Sequence, residues 1–251
     1  MFDGHGGINS RQKVAKYSEE NLHVRITNDS KFKTDIGNAG DSLAVLSEDD
    51  MAIPMSDDHK PSNPDESDRI TEAGGFVEFG RVNSKNLALS CALGDFEFKQ
   101  NTKLGVEKQI VTAYPDVKKH RIKIESTEFL VLACIWDCFK SQDVVSFIRK
   151  NIAEHNDLKR ACEDLMERCL SKTGKGIGTD NMTIIIIGFL YNKTETEWYK
   201  WMTSKYGEKS SEYKEDRLPT NNNYDYSDIY YENNKFTIDD YLSKEDDSNK
   251  D

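Results

Sequence analysis

The chain has 251 residues, a net charge of -11 and a pI near 5.0, with 36% hydrophobic residues. That length accommodates one large domain or two small ones. So acidic a chain is poorly matched to nucleic acid, whose phosphates are neutralised by Lys and Arg, and no apolar run reaches the roughly 20 residues of a membrane span.

The first stretch of note is Phe2-Asp3-Gly4-His5-Gly6-Gly7, where a carboxylate and an imidazole sit in flexible backbone. Val14, Ala15, Tyr17, Ser18 and Leu22 then share a face at helical spacing. Residues 38–42 read as a turn, and 43–46 as a short strand. Asp49-Asp50 and Ser56-Asp57-Asp58-His59 read as acidic loops. Asn63 is placed to cap a helix, with Pro64 at its first position, Glu66 completing a capping box and Gly74-Gly75 as its stop. Residues 76–79 and 87–89 are β-prone, and 92–96 read as a turn or short helix. Strands are expected at 110–113 and 121–124, and a stronger one at 128–134.

Ser141 is placed to cap the helix carrying Val144, Val145, Phe147 and Ile148. A second helix is expected over 156–170, ended by residues 174–178. Residues 182–190 form the strongest strand pattern, apolar enough to be buried on both faces. Trp198, Trp201 and Met202 are expected to pack back on the domain. The segment 203–251 is polar and acidic, with too little aliphatic content for a core of its own, and is expected to be disordered. One domain over 1–202 followed by this tail is the expected organisation. No signal peptide is visible. The five cysteines, Cys91, Cys134, Cys138, Cys162 and Cys169, show no C-x-x-C spacing. Reduced thiols in a cytoplasmic and/or nuclear monomer are expected. Cys134 and Cys138 are near enough in sequence to meet locally.

The acidic turns hold Asp3, Asp41, Asp58, Asp95 and Asp180. Carboxylates are the hard donors that Mg2+ and Mn2+ prefer, and neighbouring glycines admit a backbone carbonyl to an ion. Two ions bridged by a carboxylate can activate water and brace a phosphoryl group. The same residues also cap helices and form Asx turns throughout proteins. His5 is suited to protonate a leaving alcohol near neutral pH, and equally to ligate a metal or hold a turn. His59 reads as a loop-stabilising residue. Asp137 reads as a ligand at the sheet edge or as a cap. Cys91 and Cys138 lack a His partner and read as small buried hydrophobes.

Several ordered motifs carry a family resemblance. They are Phe2-Asp3-Gly4-His5-Gly6-Gly7, Gly40-Asp41-Ser42, Asp58-His59-Lys60-Pro61, Arg81-Val82-Asn83, the Ala88-Leu89-Ser90 to Gly94-Asp95-Phe96 run, and Gly178-Thr179-Asp180-Asn181-Met182. Together they resemble the metal-dependent type 2C protein serine/threonine phosphatases, notably the fungal members, over about residues 1–190. The resemblance implies an α+β fold, a four-layer α-β-β-α sandwich with two Mg2+ or Mn2+ ions at one end. Asp3 would bridge the ions, and Gly4 would offer its carbonyl. Asp180 would ligate the first ion, and Asp58 would help hold a third. Asp95 and Asp137 would lie in or beside the acidic cluster. His5 would be the general acid as metal-bound water attacks the phosphorus of phosphoserine or phosphothreonine proteins.

The chain departs from that pattern. The family carries an N-terminal strand, a phosphate-binding Arg and a Glu ligand ahead of the first motif, and Met1 alone precedes Phe2 here. Only about fifteen residues join Leu22 to Asn38, where the family has further helices and a strand; the four-layer sandwich is therefore expected to be incomplete. Where the family reads L-A-C-D-G-I-W-D, this chain reads Leu132-Ala133-Cys134-Ile135-Trp136-Asp137, without the Asp-Gly pair. Leu43 and Cys91 replace two expected arginines. A severely impaired phosphatase is therefore expected. The alternatives are an inactive pseudophosphatase that binds a protein partner and a defective gene product.

Overall fold

The computed structural model describes residues 35–83, 87–176 and 178–209. The first motif, the expected helix near its end and residues 210–251 lie outside these. Along the chain come β1 (Asp35–Asn38), β2 (Leu43–Glu48), β3 (Met51–Pro54), α1 (Pro64–Glu72), β4 (Val77–Glu78), β5 (Arg81–Val82) and β6 (Asp116–Lys119). Then follow β7 (Thr127–Ala133), α2 (Ser141–His155), α3 (Leu158–Cys169), β8 (Ile184–Gly188) and α4 (Glu195–Lys209). The fold is α+β. Two compact units are formed, one by 35–42 with 56–121 and the other by 43–55 with 122–209.

The second unit is built on an antiparallel sheet in the order β3-β2-β7-β8. Its strands are rich in β-branched residues, and alternate side chains of a strand point to opposite faces. Leu43 and Val45, Phe129, Val131 and Ala133, and Ile184 and Ile186 join one apolar core with Val145 and Ile148 of α2, Leu165 of α3, and Trp198 and Met202 of α4. Trp198 and Met202 thus pack back on the sheet as expected. Helix α4 runs on to Lys209, so a domain boundary drawn after residue 202 falls within it.

The expectation that 182–190 is buried on both faces is corrected. The strand spans Ile184–Gly188, and Ile185 and Ile187 are 40% and 44% exposed. β8 ends the sheet order, and the helices cover only the face that Ile184 and Ile186 share. Three other strands are also relocated. Residues 87–89 and 121–124 form none; β5 pairs with β4 in a two-residue hairpin instead. Residues 110–113 contribute only a bridge from Thr112 to Cys91, and the strand of that region is β6, paired with β1. Ser141 is the first residue of α2 rather than its cap, which is Lys140. The cap of α3 is Asp157, whose carboxylate accepts from the Lys159 and Arg160 amides.

A charged cluster lies at one end of this sheet. Asp49 and Asp50 form the two-residue turn from β2 to β3, both at positive φ (47° and 78°), as a type I′ hairpin requires. Asp50 pairs with Arg149 of α2, and Arg149 Nε lies 3.2 Å from Glu128 Oε2 on β7. Ser47 donates to the same Glu128 oxygen at 2.6 Å. Lys205 of α4 joins Asp49 at 2.7 Å and the Glu125 carbonyl at 2.6 Å, and lies 3.7 Å from Glu128. Glu128 is 0% and Arg149 2% exposed. Removing one member strands a buried charge, so Arg149→Ala is expected to cost about 3–5 kcal/mol of unfolding free energy. Urea unfolding of the two proteins measures it; a loss no larger than that of a surface substitution would show that Lys205 neutralises Glu128 alone.

Candidate functional site

In the first unit the motif residues knit three turns together. The Asn38 amide donates to the Gly40 carbonyl at 2.9 Å and the Asp57 carbonyl at 2.7 Å. His59 is 4% exposed. Its Nδ1 is 3.1 Å from the Gly40 amide nitrogen, and its Nε2 is 3.0 Å from Asp116 Oδ2 on β6. Nδ1 also lies 2.9 Å from the Gly40 carbonyl oxygen, so the ring meets both main-chain polar groups of Gly40 on one side and the Asp116 carboxylate on the other. The imidazole therefore fastens the Gly40-Asp41-Ser42 turn, the Asp58-His59-Lys60-Pro61 turn and β6, the loop-stabilising role read from the sequence. Its backbone carbonyl accepts from the Ser90 amide at 2.8 Å, which brings the Ala88-Leu89-Ser90 run alongside.

The capping box expected at α1 is not made. The Asn63 side chain makes no bond to the helix amides; its amide donates to the Asp58 carbonyl. Glu66 turns instead to Arg69, at 2.6 Å, and to the Ser90 hydroxyl. Arg69 also donates to the carbonyls of Ser90, at 3.0 Å, and Ile110, at 3.2 Å. A full charge three residues along the helix, together with a hydroxyl from a distant turn, outcompetes the amide of the helix start. Arg69 was not singled out from the sequence, and Glu66 was read only as part of a cap, because an i, i+3 charge pair resembles any solvated helix face.

Asp58 is buried beside Lys60, which lies 4.0 Å from its Oδ2. Asp95 follows Gly94 in a turn where both have positive φ, 98° and 47°. Lys99 holds that turn by donating to the carbonyls of Ala92, at 2.6 Å, and Gly94. Burial pushes the Lys99 ammonium below its ordinary value, against the opposing charge of Asp95. Cys91 is fully buried, with Sγ donating to the Tyr114 carbonyl at 3.5 Å; burial, then the Glu66 charge, push its thiol up to about 12. The place of an expected arginine is thus filled by an unreactive apolar thiol, and Leu43 likewise enters the sheet core.

In the second unit, the segment after β7 turns tightly. The Cys138 amide donates to the Ile135 carbonyl at 2.8 Å, and the Trp136 indole donates to the Ala133 carbonyl at 2.7 Å. Ile135 and Trp136 are buried, and Asp137 is exposed. Asp180 is exposed on the loop before β8, and its carboxylate accepts from the Asn181 amide at 2.7 Å. Gly178 explains itself here. Its φ is +78°, and a Cβ would stand 1.9 Å from the Cys169 carbonyl, so no other residue fits.

Asp58 and Asp95 belong to the first unit, and Asp137 and Asp180 to the second. Among the described residues, no group of three or more His, Cys, Asp or Glu is placed to hold a metal ion. Asp3, Gly4 and His5 lie outside the described residues.

A family model described as protein phosphatase 2C matches residues 24–176. The chain is 43% identical to protein phosphatase 2C homolog 2 of Hypocrea jecorina, covering 92% of this chain and 64% of that protein. It is 52% identical to the homolog 2 of Schizosaccharomyces pombe, covering 67% of this chain and 46% of that protein. The chain thus spans about half to two thirds of these relatives. The Hypocrea alignment runs over 286 positions, more than the 251 residues present, so that relative carries stretches with no counterpart here. Among solved structures, a phosphatase of Toxoplasma gondii aligns with a TM-score of 0.54 at 32% identity, over 62% of this chain and 47% of that one. A Caenorhabditis elegans sex determining protein aligns at 0.51 and 26% identity, over 67% and 39%.

Acid titration tests the Glu66 cluster. Burial pushes the Glu66 carboxyl up, but the hydrogen bonds from Arg69 and Ser90 and the Arg69 charge outweigh it and hold the group below its ordinary 4.5. A carboxyl depressed on folding adds stability that is full above 4.5 and is lost as pH falls through the lower folded value. Urea unfolding at stepped pH is expected to show that loss, and Glu66→Gln to flatten it while lowering stability at neutral pH. Equal slopes for the two proteins would exclude Glu66 as a contributor.

Proposed function

The chain belongs to the protein phosphatase 2C family, and from that premise we propose a protein serine/threonine phosphatase whose hydrolysis of phosphoserine and phosphothreonine is severely impaired. The observation that carries the reading is the turn after β7. At the place where the family resemblance implies an Asp-Gly pair, Cys134 runs directly into Ile135 and Trp136, both buried in the core. A carboxylate cannot be recovered there by a small shift. Asp137 is exposed beyond the turn, and moving it back would expel Trp136 from its bond to Ala133. Within each unit, the described residues offer no group of three or more His, Cys, Asp or Glu placed to hold an ion, so no hydrolytic step is assigned to them. A binuclear site requires both ions held closely by shared carboxylates.

The acidic turns retained around Asp58, Asp95 and Asp180 support descent from an active enzyme. The buried core of each unit supports a chain that keeps its fold with a weakened site. The test is hydrolysis of a phosphothreonine peptide by the 251-residue chain with Mn2+, beside Asp3→Ala. Turnover at background in both is expected. Clear Mn2+-dependent turnover that Asp3→Ala abolishes would overturn the impaired reading and leave an active family member.

A further inference from the structure

We propose that Cys138 and Cys169 form a reversible disulfide when the chain meets hydrogen peroxide. Sequence spacing suggests Cys134 as the neighbour of Cys138, but the fold supplies a different one. Cys138 lies in the tight turn after β7, and Cys169 is the last residue of α3. Cys138 Sγ donates to the Cys169 carbonyl at 3.8 Å, which sets it against the main chain of Cys169. Both pack against one apolar core, Cys138 half-buried and Cys169 4% exposed. All five cysteines are free thiols here, and joining these two requires their sulfurs to close to the bonding distance of about 2 Å.

The chemistry balances with peroxide as the oxidant. Cys138, the more accessible sulfur, attacks one peroxide oxygen; an S–O bond forms, the O–O bond breaks, and the leaving hydroxide takes the thiol proton as water. The Cys169 sulfur then attacks the Cys138 sulfenic acid. An S–S bond forms, the S–O bond breaks, and a second water carries off the Cys169 proton. Two thiols lose two electrons to one peroxide, and a dithiol reductant reverses the exchange.

The bond has a structural consequence. Cys138 follows Asp137, and the Cys169 carbonyl abuts Gly178, two residues before Asp180. A disulfide would tie the turn bearing one carboxylate to the loop bearing the other. It would also close a segment whose ends are 31 positions apart, restricting the unfolded chain.

The experiment treats the reduced 251-residue chain with hydrogen peroxide, alkylates the remaining thiols and maps peptides without reduction. A peptide pair joining Cys138 to Cys169 is expected, released by dithiothreitol and absent from Cys138→Ser. The melting temperature is expected to rise on oxidation of the wild type and to return on reduction. Comparing the treated and untreated wild type decides the matter even if the variant does not fold. Oxidation of Cys138 to sulfinic acid without joining Cys169, or pairing at random among the five cysteines, would overturn the proposal.

Discussion

The buried charge pair between Glu128 and Arg149 is the constraint on which the second unit depends. A carboxylate and a guanidinium taken out of water each lose solvation worth several kcal/mol, and only close mutual contact with further hydrogen bonds offsets that loss. The chain meets the requirement from four directions. Glu128 comes from β7, Arg149 from α2, Asp50 from the turn between β2 and β3, and Lys205 from α4. Burial pushes the Glu128 carboxyl up despite the charge of Arg149 and the Ser47 hydrogen bond. Such a cluster tolerates little displacement, so it fixes the register of the hairpin turn against the helices.

The first unit solves a similar problem with fewer charges. Arg69 gathers Glu66 and the carbonyls of Ser90 and Ile110, while His59 gathers Gly40 and Asp116. Backbone groups in irregular segments need partners when buried. These two side chains supply them where helices and sheets do not. Several residues in and beside the motifs therefore act as fasteners. His59 holds turns, Asn38 bonds two carbonyls, and Gly178 admits the Cys169 carbonyl.

Fastening and chemistry are therefore separable roles within such motifs. A residue that satisfies buried backbone groups is retained as long as the fold is retained. A metal ligand is held only by the ion it binds. The apolar turn at Ile135 and Trp136 illustrates the contrast, since both side chains are packed in the core and neither offers a carboxylate to an ion.

The sequence by itself determined the elements whose signals are local. β2, β7 and α3 follow from apolar runs and helical spacing, the stop at Gly74-Gly75 from glycine, and the ancestry from ordered motifs. The same local signals left β8 with two apparent buried faces, placed strands at 87–89 and 121–124, and gave Glu66 to a helix cap. Only tertiary structure decided these. β8 ends the sheet order, so the helices reach one of its faces; β6 finds its partner in β1, about 80 residues earlier in sequence. Glu66 finds a cation and a hydroxyl stronger than its own helix amide. The meeting of Cys138 with Cys169 is of the same kind. The physical reason is common to all of them: propensity and periodicity act within a turn or two of chain, whereas pairing, burial and charge compensation depend on which distant segments arrive alongside.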